Sequence, residues 1–116
     1  MNIEAYRNYC LSLPGTEEDF PFDEQTLVFK VLGKMFALAD VDNFESVNLK
    51  CDPEKAIELR EQYPSVQPGY HMNKKHWNTV FVNKEIPDAL ILQWTRDSYK
   101  LVVDGLPRKL RATLKD

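Results

Sequence analysis

Thr26-Leu27-Val28-Phe29-Lys30-Val31-Leu32-Gly33-Lys34-Met35-Phe36-Ala37-Leu38-Ala39 reads as two strands joined by a tight turn. Its first six residues are rich in β-branched and aromatic side chains, with Leu27, Phe29 and Val31 on one face and Val28 and Lys30 on the other. Leu32-Gly33 supplies a two-residue turn, with Gly where a positive φ is needed. Residues 34–39 return, Met35, Ala37 and Ala39 alternating with Phe36 and Leu38. Both faces of this hairpin are apolar, which predicts a place inside a sheet rather than at its edge. After the turn Asp40-Val41-Asp42-Asn43, residues 45–50 set Val47 and Leu49 against Ser46, Asn48 and Lys50, one buried face and one polar face. Consecutive strands with short turns predict an antiparallel sheet.

Working outward, residues 3–13 predict a helix whose buried stripe is Ile3, Tyr6, Cys10 and Leu13, with Asn2 as N-cap and Pro14-Gly15 as its end. The acidic run Thr16-Glu17-Glu18-Asp19 and the following Phe20-Pro21-Phe22 read as a solvated loop pinned by two aromatic rings. Asp52-Pro53-Glu54 starts a second helix, with Ile57 and Leu59 straddling its packed face and Pro64 stopping it. Residues 65–69 read as a connector, and 77–82 as a further strand with Trp77, Thr79 and Phe81 opposite Asn78, Val80 and Val82. Pro87-Asp88 opens the longest helix, which buries Leu90, Ile91, Trp94, Leu101 and Val102 and leaves Ser98, Tyr99 and Lys100 as a more polar segment. Asp104-Gly105 closes it, and Pro107 starts a short basic helix with Arg108, Lys109, Arg111 and Lys115. The pattern predicts one α+β domain over 1–116, an antiparallel sheet with helices packed on one face.

Composition narrows the function. The 116 residues are 43% hydrophobic, enough for a core, and the net charge of −3 argues against a chain-wide pull toward nucleic acid or anionic membrane. Binding to a polyanion therefore requires a local basic patch. No apolar run approaches the ~18 residues of a membrane helix, and residues 1–7 lack a signal peptide's pattern, so the expected location is the cytoplasm and no membrane partner is expected. Cys10 and Cys51 share no CxxC motif and are expected to be free, half-buried thiols.

Chemistry-bearing groups concentrate in Pro68-Gly69-Tyr70-His71-Met72-Asn73-Lys74-Lys75-His76-Trp77-Asn78, which holds both histidines and a Lys-Lys pair. His71 and His76 are spaced wrongly for a metal pair on either a helix or a strand, so no metal site is expected. The glycines at 15, 33, 69 and 105 form no phosphate-cradling motif, and Ser98 and Cys51 have no motif around them. No catalytic residue, cofactor or enzymatic activity is expected. Three roles for the segment remain. It can be a DNA-binding surface, with Lys74, Lys75 and Arg60 on phosphates supported by Lys30, Lys34 and Lys50. It can line a pocket for a small molecule or protein partner with Tyr70, His71, Asn73, His76, Trp77 and Asn78. Or it can be structural, Tyr70 and Trp77 packing while Asn73 and Asn78 hold the loop.

Several stretches together resemble the YjbR/MmcQ proteins. They are Phe20-Pro21-Phe22, Val28-Phe29-Lys30-Val31, Gly33-Lys34-Met35-Phe36-Ala37, Asn48-Leu49-Lys50-Cys51-Asp52-Pro53-Glu54 with Leu59-Arg60, the whole 68–78 segment, Ser98-Tyr99, Val102-Val103 and Leu106-Pro107. The resemblance spans nearly the whole chain. It implies a CyaY-like two-layer sandwich and a non-enzymatic, DNA-binding role, and it carries over no catalytic residue. Frataxin-like iron binding through an acidic helix face is not carried over, because the first helix offers only Glu4.

Overall fold

The computed structural model describes residues 1–69 and 72–114. Along them run α1 (Ile3–Ser12), β1 (Thr16–Asp19), β2 (Thr26–Val31), β3 (Lys34–Asp40), β4 (Ser46–Lys50), α2 (Pro53–Gln62), β5 (Val66–Pro68), β6 (Trp77–Phe81), α3 (Asp88–Asp104) and α4 (Arg108–Arg111). The strands form one six-stranded sheet in the order β1-β2-β3-β4-β6-β5, and every neighbouring pair is antiparallel. As expected, β2 and β3 are interior strands and the helices pack on one face.

The β2–β3 turn has φ of 48° at Leu32 and 85° at Gly33, the left-handed pair that matches the twist of a two-residue hairpin. The simple alternation expected in β3 does not hold. Phe29 pairs with Ala37 but Lys30 pairs with Met35, so Phe36 is an extra residue in the ladder. The bulge sends both Phe36 and Ala37 into the helix-side core. There Phe36 meets Phe29 at a centroid distance of 6.5 Å and Tyr99 edge-on at 5.3 Å. Met35 is turned to the opposite face, where with Met72 it packs on a second, smaller cluster of Val28, Leu38 and Trp77.

Ser98 and Tyr99 are buried rather than a polar interruption of α3. Ser98 Oγ donates to Phe36 O at 2.6 Å and accepts from Lys50 N at 2.9 Å, tying α3 to the ends of β3 and β4. The Tyr99 hydroxyl donates to Pro14 O. Tyr6, wholly buried, shares a 2.9 Å bond with Thr95 Oγ1 and joins α1 to α3.

Two edge strands were not expected. Residues 16–19 form β1 rather than a loop, pairing with β2 while two of the three carboxylates find cationic partners and Glu17 stays exposed. Glu18 faces the helices and takes a bidentate pair from Arg7 of α1, with Nε at 2.6 Å from Oε2. Asp19 faces the other way, 3.6 Å from Lys30 Nζ. A charged edge also discourages pairing with a second chain. Phe20 and Phe22 do not pin this region; they are 46% and 63% exposed. At the other edge, Val66–Pro68 makes β5, where a proline is tolerated because no further strand needs its N–H. In α2 the packed stripe is Ala56 and Leu59, while Ile57 is exposed; Leu101 of α3 is exposed as well. Asp52 holds the N-cap position of α2 without a side-chain capping bond. Cys10 is buried, Cys51 half-buried, and both are free. Among the described residues no helix is long and apolar enough to cross a membrane.

Candidate functional site

The sheet has one face covered by helices and one that is largely open. Along β6 the two faces alternate, so neighbours part company. Trp77 turns to the open face, 7% exposed, against Val28 and Leu38. Asn78 turns to the helix face, 2% exposed, where its Nδ2 donates to Ala56 O at 3.3 Å. The two side chains therefore cannot line one pocket, and the predicted grouping of Tyr70, His71, Asn73, His76, Trp77 and Asn78 is not assembled among the described residues. Tyr70 and His71 lie outside those residues. Trp77 is also a core side chain rather than a stacking platform.

The segment before β6 is tightly bonded. Asn73 Oδ1 accepts from Lys75 N at 3.0 Å, and Asn73 O accepts from both His76 N and Trp77 N at 3.1 and 3.0 Å. His76 O takes Cys51 N at 2.7 Å, fixing the loop to the end of β4. Gly69 donates to Trp77 O at 2.9 Å, and a Cβ there would lie 3.0 Å from Trp77 Cβ and 3.2 Å from its carbonyl oxygen. A side chain there would press on the Trp77 backbone, so glycine suits this close approach. From α2, Arg60 Nε donates to Asn78 Oδ1 at 2.7 Å, and Nη2 to Lys74 O and, at 3.4 Å, to Trp77 O. Arg60 was expected on phosphate. Its guanidinium instead clamps the loop and β6 from the helix side.

The lysines are arranged differently. Lys34 begins β3 opposite Val31, Lys30 lies opposite Met35, and Lys50 ends β4 opposite Trp77, the first residue of β6. Lys74 and Lys75 immediately precede that residue. All five therefore lie at the same end of the sheet. On the open face the row across this end is Lys30, Met35, Lys50 and Trp77, and strand spacing sets Lys30 and Lys50 about 10 Å apart. The other end of the sheet is acidic. Asp40 stands opposite Thr26, its Oδ1 accepting from Asp42 N and Asn43 N at 2.9 and 3.1 Å. Asp23 accepts from Thr26 N and Gln25 N at 2.6 and 2.9 Å, and those bonds hold its carboxyl below the usual carboxylate range.

Two concavities went unpredicted. One is a groove of about 500 Å3 on the open face, between Phe22 and Asp23 on one side and Met72 on the other, floored by Leu38, Ser46 and Asn48. The other, about 250 Å3, opens between α2 and α3 and includes Leu59, Trp94 and Leu101. Strand alternation marks the groove's floor in the sequence; the second pocket depends on the spacing of two helices, which no local pattern encodes. Nucleophiles are subdued. Ser98 Oγ is committed to backbone partners. Burial pushes the Cys10 thiol up to about 12 and also raises that of Cys51. Among the described residues, no three or more His, Cys, Asp or Glu side chains gather as a metal site.

This is an α+β domain built on an open, six-stranded antiparallel sheet, with helices on one face and lysines gathered at one end. The YjbR family model matches residues 11–101, and the chain belongs to that family. It is 43% identical over 107 residues to uncharacterized protein YbdF of Escherichia coli O157:H7, covering 91% of this chain and 88% of that protein. It is 36% identical over 115 residues to uncharacterized protein YjbR of Escherichia coli K12, covering 98% of each. Among solved structures it is similar to Deinococcus radiodurans protein DR2400, of the domain family DUF419, with a TM-score of 0.89 and 43% identity over 97% of this chain and 86% of that one. A Pseudomonas syringae protein follows with a TM-score of 0.73 and 28% identity over 87% of this chain and 98% of that one.

Proposed function

We propose that this protein is a non-enzymatic binding module for nucleic acid, duplex DNA in the first instance, and that the basic end of the sheet is its contact surface. The observation that carries the reading is the gathering of five lysines at one end of the sheet, where Glu17 opposite Lys30 and Asp19 at 3.6 Å from it are the acids on the neighbouring strand. Lys30, Lys34, Lys50, Lys74 and Lys75 share one end, while Asp23 and Asp40 hold the other. A chain of net charge −3 needs such a local patch to attract a polyanion. The lysines act as point charges on phosphates, which fixes position without reading bases. Trp77 supports them from below, packed under Met72 rather than open to a base. Arg60 is a positioning residue in this scheme, because its bonds to Lys74 O and Asn78 set the loop that carries Lys74 and Lys75.

Fluorescence anisotropy with a short labelled duplex and a single strand of equal length tests the proposal. Saturable duplex binding at ~50 mM salt that weakens steeply by ~200 mM is expected. Binding that is undetectable at the lower salt, or indifferent to salt, overturns it.

A further inference from the structure

The helix face of the sheet is incompletely covered, and the gap has the character of a ligand site. The 250 Å3 pocket between α2 and α3 sits over β4 and β6. Its wall is formed by the buried side chains Leu49, Leu59, Val80 and Trp94, with the exposed Leu101 at the mouth. Trp94 is held edge-on by Tyr63 at 5.3 Å, so this wall is braced. An apolar cavity of ~150 Å3 accepts benzene, so this pocket has room for a larger body.

The rim carries both signs, Lys55 against Asp52 and Asp97; Lys50 borders it from β4, but its side chain lies on the open face with Trp77. These groups are not locked to one another. Lys55 has only a 4.0 Å approach to Glu58, Asp97 Oδ1 takes Gln93 Nε2 at 2.9 Å, and the Asp52 carboxylate is not used to cap α2. An apolar wall with a few polar groups at its mouth is the usual composition of a small-molecule site. A rim of both signs suits a head group of both signs, because a singly charged head meets like as well as opposite charge there.

We propose that this pocket binds a small zwitterion with an apolar side chain, an α-amino acid of the phenylalanine or leucine type. The side chain lies against Leu59 and Trp94, the ammonium faces Asp52 and Asp97, and the carboxylate faces Lys55. The site stands apart from nucleic-acid binding, and its test does not depend on that reading.

The probe is L-phenylalanine, titrated into the full chain and followed by amide and indole NMR resonances. Its single-charge congeners 2-phenylethylamine and 3-phenylpropionate are run beside it. Saturable shifts at the Trp94 indole and the Leu59 and Leu101 amides are expected, with L-phenylalanine bound about tenfold more tightly than either congener. Leu101→Trp, which crowds the mouth, abolishes the shifts. Asp97→Lys, an exposed reversal that leaves the core intact, weakens L-phenylalanine about tenfold and spares 3-phenylpropionate. The proposal is overturned if no saturable shift occurs or if the shifts fall away from Trp94. It also fails if a congener binds as tightly as the amino acid. Should Leu101→Trp not fold, Asp97→Lys decides alone, and unchanged L-phenylalanine affinity there overturns the proposal.

Discussion

Replacing Arg60 with alanine removes the clamp between α2 and β6, and the cost can be worked from its bonds. Asn78 is 2% exposed, and its Oδ1 receives Arg60 Nε at 2.7 Å. Without the guanidinium that oxygen is left buried with no donor, which costs about 1–3 kcal/mol. The carbonyls of Lys74 and Trp77 also lose a donor, but the loop lies near solvent and water replaces it. Asn78 Nδ2 keeps Ala56 O. The expected loss is about 2 kcal/mol, or about 8 °C in melting temperature for a domain of this size. Lysine at this position has one compact charge and no fork, so Arg60→Lys recovers less than half. Urea unfolding followed by circular dichroism measures both variants. A cycle with Asn78→Ala isolates the pair and gives a coupling of at least ~1 kcal/mol. A loss below ~0.5 kcal/mol for Arg60→Ala, or strict additivity in the cycle, refutes the clamp.

Other consequences are more local. Gly69→Ala places a methyl against Trp77 Cβ and O at 3.0 and 3.2 Å, and urea unfolding registers a loss of about 1–3 kcal/mol; an unchanged midpoint contradicts the close approach. Glu85 accepts from Ser65 Oγ and N at 2.6 and 3.0 Å, which holds its carboxyl below the usual range. Because the folded value is depressed, its contribution is present above the unfolded value of ~4.3 and lost as pH falls through the lower, folded one. Glu85→Gln therefore narrows its stability gap from the native protein at pH 3 relative to pH 7, and an equal gap at both argues against it. In thiol alkylation of the native chain at pH 8, half-buried Cys51 reacts first and Cys10, its thiol pushed up to about 12, waits for unfolding. Equal rates would be inconsistent with that burial.

Much of the architecture can be read from residues 26–50, because two-residue alternation and a Leu-Gly turn are local signals. What escaped depends on distant partners. Thr16-Glu17-Glu18-Asp19 has the composition of a loop and is a strand where β2 pairs with it and Arg7 and Lys30 take two of its three carboxylates. Phe36 breaks the expected alternation because Phe29 and Tyr99 create a place for a ring on the helix side. Val66-Gln67-Pro68 is too short, and carries proline, to register as a strand before β6 is known to lie beside it. The site divides in the same way. The common end of Lys30, Lys34 and Lys50 follows from strand register alone. The engagement of Arg60 by Asn78 does not, since it needs the fold to bring a helix over a strand.

The central claim rests on lysines at one end of the sheet, and the slope of log K against log salt for duplex binding tests it most directly. Each phosphate neutralised contributes about −0.9 to that slope, so four to five lysines predict roughly −4. Single replacements of Lys30, Lys50 or Lys75 by alanine should each reduce its magnitude by about 0.9, whereas Arg60→Ala, which removes no phosphate contact of its own, acts on it only through the loop that carries Lys74 and Lys75. A variant lacking Lys30, Lys50, Lys74 and Lys75 together that binds DNA with the wild-type slope would contradict the account.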